Sequence, residues 1–127
     1  GKELKIAASD YTPEIYFSEE KNLFSIKGKS IPENASEFYN QVLEAFNDYI
    51  RNHKEYKDFT ANFNVMYFNT SSAKFFHKIF DRIKFLKDHG ASVTVNWYYE
   101  HDDEDIKEAG LDYQELTELK FNLIPLQ

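Results

Sequence analysis

The chain contains no cysteine and only four glycines. The absence of cysteine excludes disulfides, thiol catalysis, and zinc or iron–sulfur centres held by cysteine. No glycine-rich phosphate loop can be recognised, and neither a G-x-S-x-G nucleophile turn nor an H-E-x-x-H metal helix occurs. A hydrolase or a nucleotide-dependent enzyme is therefore poorly supported, and no cofactor is expected.

Long hydrophobic runs and an excess of positive charge are also missing. No apolar stretch approaches the roughly 20 residues that cross a bilayer, and the N-terminus lacks a signal-peptide pattern. The net charge is −7, whereas a protein that binds the phosphate backbone needs lysines and arginines to release counterions. We therefore expect a cytoplasmic protein that binds neither nucleic acid nor membrane, with protein partners or a small ligand instead.

The chain does contain enough hydrophobic residues for one core. Its 127 residues correspond to a single domain spanning 1–127. Hydrophobic residues make up 42% of the sequence and include twelve phenylalanines and nine tyrosines. A chain of this size buries roughly two-thirds of its unfolded surface, so a folded domain is expected.

Strand-like and helix-like patterns alternate along the chain. The first predicted elements are a short strand at 4–7 and a hairpin of strands 14–18 and 23–27 that is ended by Gly28. A helix from Asn34 to about Asn52, a strand at 58–68 and a helix at about 71–88 that is ended by Gly90 follow. The last predicted elements are a strand at 91–100, a helical region reaching about 119, and a strand at 120–125. This order predicts an α/β fold with helices packed on a mostly parallel sheet, made mixed by the N-terminal hairpin. In strand 58–68, alternation assigns one face to Phe59, Ala61, Phe63, Val65 and Tyr67.

A cluster of small polar residues joins that strand to the second helix. It reads Asn69-Thr70-Ser71-Ser72-Ala73-Lys74. An ordinary helix cap needs only one of these side chains. The functional interpretation is a phosphorylation site at Thr70 or Ser71, because a helix N-terminus stabilises anions. Lys74 lies one turn into the helix, where it either pairs with a phosphate or is solvated.

An acidic segment from His101 to Glu108 is the second candidate site. Its dense carboxylates are compatible with a metal- or small-ligand-binding domain, or with an enzyme that uses them, but the EF-hand order of ligands is absent. The simpler alternative is an acidic first turn of a helix, or an acidic edge that docks a basic partner. The interpretation as a receiver-like domain with Asp10 as the phosphate acceptor is weaker still. Magnesium binding would need a second carboxylate beside Asp10, and Ser9 and Tyr11 do not supply one.

Several motifs in order resemble one bacterial family. They are Thr12-Pro13-Glu14-Ile15; Gly28-Lys29-Ser30-Ile31-Pro32-Glu33-Asn34; Tyr67-Phe68-Asn69-Thr70-Ser71-Ser72-Ala73-Lys74; Trp97-Tyr98-Tyr99-Glu100; Asp102-Asp103-Glu104; and Glu108-Ala109-Gly110. Together they resemble the SiaC family of regulatory phosphoproteins over nearly the whole chain. The block around Asn69 is the most specific element, and Ile31 departs from the tyrosine common in relatives.

The resemblance implies a STAS-like fold, as in anti-sigma-factor antagonists, and a non-enzymatic function by partner switching. It implies that Thr70 is phosphorylated by a serine/threonine kinase related to anti-sigma kinases and dephosphorylated by a PP2C-type phosphatase. The implied effector in some systems is a diguanylate cyclase, engaged by the unmodified form. The residues expected to contact these partners are Asn69, Ser71, Ser72 and Lys74.

Overall fold

The computed structural model describes residues 2–127, which form six strands and three helices. In chain order these are β1 (Glu3–Ile6), β2 (Glu14–Ser18), β3 (Leu23–Ser30), α1 (Ala35–Asn52), β4 (Phe59–Phe68), α2 (Thr70–Asp88), β5 (Val93–Glu100), α3 (Glu104–Thr117) and β6 (Phe121–Leu126). The predicted order of elements is confirmed. Two boundaries matter for function: α2 begins at Thr70, and β3 continues three residues beyond Lys27.

The six strands form one mixed sheet in the order β1-β2-β3-β4-β5-β6. The first three strands are antiparallel, and β3 to β6 are parallel to one another. In-register rows of apolar side chains cross the sheet on one face; one row consists of Leu4, Phe17, Phe24, Ala61, Val95 and Phe121. Since α1 contacts α2 and α2 contacts α3, the helices form one layer over this face and enclose the core.

The opposite face of the sheet carries polar residues in the same registers. Asn62, Asn96 and Asn122 lie side by side on three parallel strands. The amide of Asn96 donates to the Asn62 oxygen at 2.8 Å, and Asn122 donates to the Asn96 oxygen at 3.0 Å. These bonds link the three side-chain amides across the polar face of the sheet. Within residues 2–127, no helix combines the length and hydropathy that crossing a bilayer requires.

Each helix begins at a side chain that caps its first turn. The Oδ1 atoms of Asn34, Asn69 and Asp103 accept hydrogen bonds from backbone N–H groups three residues later, at 3.1, 2.9 and 3.0 Å. Gly90 follows α2 with a φ of +107°, as predicted for a left-handed helix stop.

A β-bulge between β3 and β4 corrects two of the predictions. Gly28 does not end β3; it pairs with Val65, while Lys29 pairs with Tyr67, which leaves Met66 without an opposite residue. This extra residue inverts the alternation of β4. The placement of Tyr67 on the core face is therefore wrong: its side chain is 58% exposed, and Phe68 turns inward instead.

Candidate functional site

The candidate site lies where the carboxyl ends of the parallel strands β3 and β4 meet the N-terminus of α2. Thr70 is the first residue of α2 and is exposed, as is Ser71 beside it. This end of a parallel sheet is where open α/β folds carry their sites. Thr70 is thus an exposed hydroxyl residue at the start of a helix.

Asn69 holds the helix start in place. Its side-chain oxygen accepts from the Ser72 N–H at 2.9 Å and from the Ser71 hydroxyl at 3.1 Å. Its backbone N–H donates to the Ser30 carbonyl at 3.0 Å, which ties the cap to β3. Asn69 therefore has a structural function as the cap.

The first turn of α2 retains unused capacity for an anion. Neither the Thr70 nor the Ser71 N–H has a hydrogen-bond acceptor within residues 2–127. Such free N–H groups and the helix dipole together favour negative charge. Lys74 is exposed one turn further along and forms no ion pair in this described range. The site is therefore suited electrostatically to a phosphate.

Ser72 requires a correction. Its side chain is fully buried, so the expectation that it contacts a partner is wrong. Its hydroxyl donates to the Ser30 carbonyl at 3.1 Å and lies 2.7 Å from the Ser30 Oγ, which in turn hydrogen-bonds the Tyr39 hydroxyl. We call Ser30, Tyr39 and Ser72 the hydroxyl cluster. It connects β3 and α1 to the first turn of α2, which begins at the exposed Thr70.

Two members of the hydroxyl cluster, Ser30 and Tyr39, were missed by the sequence analysis. Both are fully buried, and burial raises the pKa of Tyr39 well above its ordinary value. Tyr113 adds a second anchor for the same helix turn, because its hydroxyl donates to the Ala73 carbonyl at 3.0 Å. Burial raises the pKa of Tyr113 to about 12, so both phenols stay neutral hydrogen-bonding groups at neutral pH.

Comparison with known families identifies the chain. The family model described as "SiaC family regulatory phosphoprotein" matches residues 6–126. The chain belongs to the SiaC family. An uncharacterized protein of Pseudomonas aeruginosa strain UCBPP-PA14 is 26% identical over 113 residues, which cover 89% of this chain and 88% of that protein.

Solved structures of SiaC from Pseudomonas aeruginosa have the same fold as this SiaC-family chain. Apo-SiaC superposes with a TM-score of 0.86 at 24% identity, covering 98% of this chain and 99% of the other. A second structure, of the diguanylate cyclase SiaD in complex with its activator SiaC, gives a TM-score of 0.89 at 24% identity, covering 97% and 99%. The predicted α/β architecture is confirmed, while the STAS-like relationship stays a prediction.

The acidic segment of this SiaC-family chain has a structural explanation. Asp103 is the cap of α3, and Glu104 and Asp105 occupy its first turn, where the helix dipole favours carboxylates. The described residues contain no group of three or more histidine, cysteine, aspartate or glutamate side chains arranged to hold a metal ion. Asp10 is exposed in the loop between β1 and β2. The structure thus supports the interpretation of this segment as the acidic first turn of a helix.

Proposed function

We propose that this chain is a non-enzymatic switch in which reversible phosphorylation of Thr70 controls the binding of protein partners. The observation that carries the proposal is the position of Thr70. It is exposed, it is the first residue of α2, and its own N–H and that of Ser71 have no hydrogen-bond acceptor among residues 2–127. The partners are a serine/threonine kinase, a PP2C-type phosphatase and an effector. Membership of the SiaC family of regulatory phosphoproteins supports this proposal.

The geometry favours a phosphate at Thr70 that changes the surface and leaves the fold intact. A phosphate adds about −1.5 to −2 charges and three acceptor oxygens. Charge of this sign at a helix N-terminus is stabilised by about 0.3–1 kcal/mol, and Lys74 offers a cation one turn away. Because the Thr70 side chain is exposed, the modification requires no core rearrangement. Partners would therefore sense a change in charge and shape at this surface.

The proposed effector is a diguanylate cyclase. The related SiaC of Pseudomonas aeruginosa is described as the activator of the diguanylate cyclase SiaD and has been crystallised with it. The match between the two chains extends over 97% of this one. We propose that the unmodified chain engages the cyclase and that phosphorylation of Thr70 weakens this interaction, with Ser71 and Lys74 at its edge.

Phosphorylation is tested by intact-mass spectrometry after incubation with the host's anti-sigma-related kinase and Mg-ATP. The wild-type chain is expected to gain one phosphate, which the host's PP2C-type phosphatase removes. Thr70→Ala is expected to gain none. Ser71→Ala, at the exposed neighbouring residue, is the matched control and is expected to be phosphorylated like the wild type. Full phosphorylation of Thr70→Ala would remove Thr70 from this function.

The effector is tested separately with the host's diguanylate cyclase. Unmodified chain is expected to increase cyclic di-GMP formation, and chain phosphorylated at Thr70 is expected to increase it less. Thr70→Glu should imitate the phosphate only in part, because it has fewer oxygens and a smaller charge. Equal stimulation by the unmodified and the phosphorylated chain would contradict the proposed control of the effector.

A further inference from the structure

An open groove of about 710 Å³ lies between the loop that follows β1 and the start of α1. One wall is the loop between β1 and β2, which contributes Tyr11, and the other is the start of α1 with the residues that precede it. Ile31 and Phe38 belong to this second wall, and both are partly exposed. We call this surface the α1 groove.

The α1 groove combines apolar side chains with negative charge. Tyr11 is 63% exposed, an unusual exposure for a large aromatic ring. Glu33 and Glu37 line the same groove, both are exposed, and neither forms an ion pair within residues 2–127. No lysine, arginine or histidine of this described range lines it. A complementary occupant therefore carries apolar and cationic side chains.

Most backbone N–H groups of the loop wall already donate within the protein, so an extended peptide would find few of them to pair with. The Ser9 N–H donates to the Thr12 carbonyl at 2.9 Å, and the Ile31 N–H donates to the Tyr11 carbonyl at 2.8 Å. The Tyr11 and Thr12 N–H groups donate to the Ser9 hydroxyl at 3.2 and 3.0 Å. An occupant must therefore satisfy its own backbone, which a helix does.

We propose that the α1 groove binds a basic amphipathic helix of a protein partner, through apolar contacts with Tyr11, Ile31 and Phe38 and ion pairs with Glu33 and Glu37. This docking surface deepens the proposed function and rests on it only for the existence of a protein partner. The groove adjoins the phosphorylation site because Ile31 directly follows Ser30, which hydrogen-bonds both Asn69 and Ser72. A partner seated in the groove would therefore lie next to Thr70.

The direct test uses a fluorescent peptide of about 18 residues with leucines along one helical face and lysines elsewhere. A peptide with glutamate in place of every lysine is the charge control. Binding to the unmodified chain is measured by fluorescence anisotropy at several salt concentrations. We expect the lysine peptide alone to bind, more weakly as salt rises, and to shift backbone amide NMR signals of Tyr11, Ile31 and Phe38.

Paired variants separate the groove from the overall negative charge. Glu33→Gln with Glu37→Gln is expected to weaken binding about tenfold, as for the loss of hydrogen bonds to charged groups. Asp102→Asn with Glu104→Gln removes the same charge from the exposed start of α3 and should change the affinity less than about twofold. Tyr11→Ala tests the apolar contact and is also expected to weaken binding.

Three results would overturn the proposal. The first is an equal loss of peptide affinity in the two double variants. The second is a set of amide NMR shifts centred on α3, and the third is binding of the glutamate peptide as tight as that of the lysine peptide. Circular dichroism of each variant checks that these exposed substitutions leave the fold intact. Because the peptide is tested on the unmodified chain, failure here is distinguishable from absence of phosphate on Thr70, which would instead overturn the proposed function.

Discussion

Replacing Ser30 by alanine should destabilise the protein far more than an ordinary serine-to-alanine change. Ser30 is fully buried at the end of β3. Its hydroxyl oxygen is the shared partner of the Tyr39 hydroxyl and the Ser72 hydroxyl. Removing it breaks both contacts and leaves the Tyr39 hydroxyl, itself fully buried, without its partner.

The magnitude follows from the contacts of each hydroxyl. A neutral hydrogen bond contributes about 1 kcal/mol net, and a buried polar group left without a partner costs about 1–3 kcal/mol. Ser30→Ala should therefore lower the free energy of unfolding by about 2–4 kcal/mol. Tyr39→Phe should cost only about 1 kcal/mol, because the Ser30 hydroxyl retains its contact with Ser72. Ser72 remains satisfied in both variants, since it also donates to the Ser30 carbonyl.

The assay is urea unfolding at neutral pH, analysed as a two-state transition. Ser36→Ala, an exposed serine at the start of α1, is the matched control and should stay within about 0.5 kcal/mol of the wild type. The decisive comparison is between the double variant, which carries both Ser30→Ala and Tyr39→Phe, and Ser30→Ala alone. Removing the orphaned hydroxyl should make this double variant at least as stable as Ser30→Ala alone. Strict additivity of the two losses would refute the reasoning.

Three further predictions concern the cap, the core and the phenols. Asn69→Ala should lower the free energy of unfolding by about 1 kcal/mol, whereas Asn69→Asp, which keeps the accepting oxygen, should remain near the wild type in the same urea assay. Gly110→Ala should destabilise by up to about 2 kcal/mol despite a better helix propensity, because a Cβ there would lie 2.5 Å from the Trp97 ring; the fluorescence of this single tryptophan should change with it. The pKa of Tyr113 is raised to about 12 in the folded chain, so its contribution to stability is complete below pH 10 and lost as the pH rises from about 10 towards 12. Tyr113→Phe should flatten that decline, and an unchanged pH profile would contradict the assignment.

Local patterns were sufficient to predict most of the fold and the exposed half of the site. Asn69 followed by an amphipathic stretch predicted a helix start, and α2 begins at the next residue. Alternation and helical periodicity report on which side of one element is apolar, so they predict strands and helices well. The order of those elements then restricts the sheet to few arrangements. This is why the mixed sheet could be predicted and is confirmed.

The buried half of the site could not be predicted, because it depends on contacts between residues distant in the chain. Ser30 and Ser72 are 42 positions apart, and Tyr39 joins them from α1. Their hydroxyls are unremarkable in sequence, since serine and tyrosine occur equally in exposed positions. Only the packing of α1 and α2 against the end of β3 shows that Ser72 faces inward. The assignment of Ser72 to a partner surface failed for this reason.

The bulge at Met66 shows how one residue determines which side chains surround Thr70. Without it, the alternation of β4 would direct Tyr67 into the core and Phe68 outward. With it, Phe68 packs against Phe76 at 4.9 Å and Trp97 at 6.4 Å between ring centroids. Met66 and Tyr67, in contrast, are 56% and 58% exposed just before Thr70, the proposed phosphorylation site. Large exposed apolar residues next to a proposed switch are typical of protein contact surfaces, so the bulge itself favours a partner-binding function for this end of the sheet.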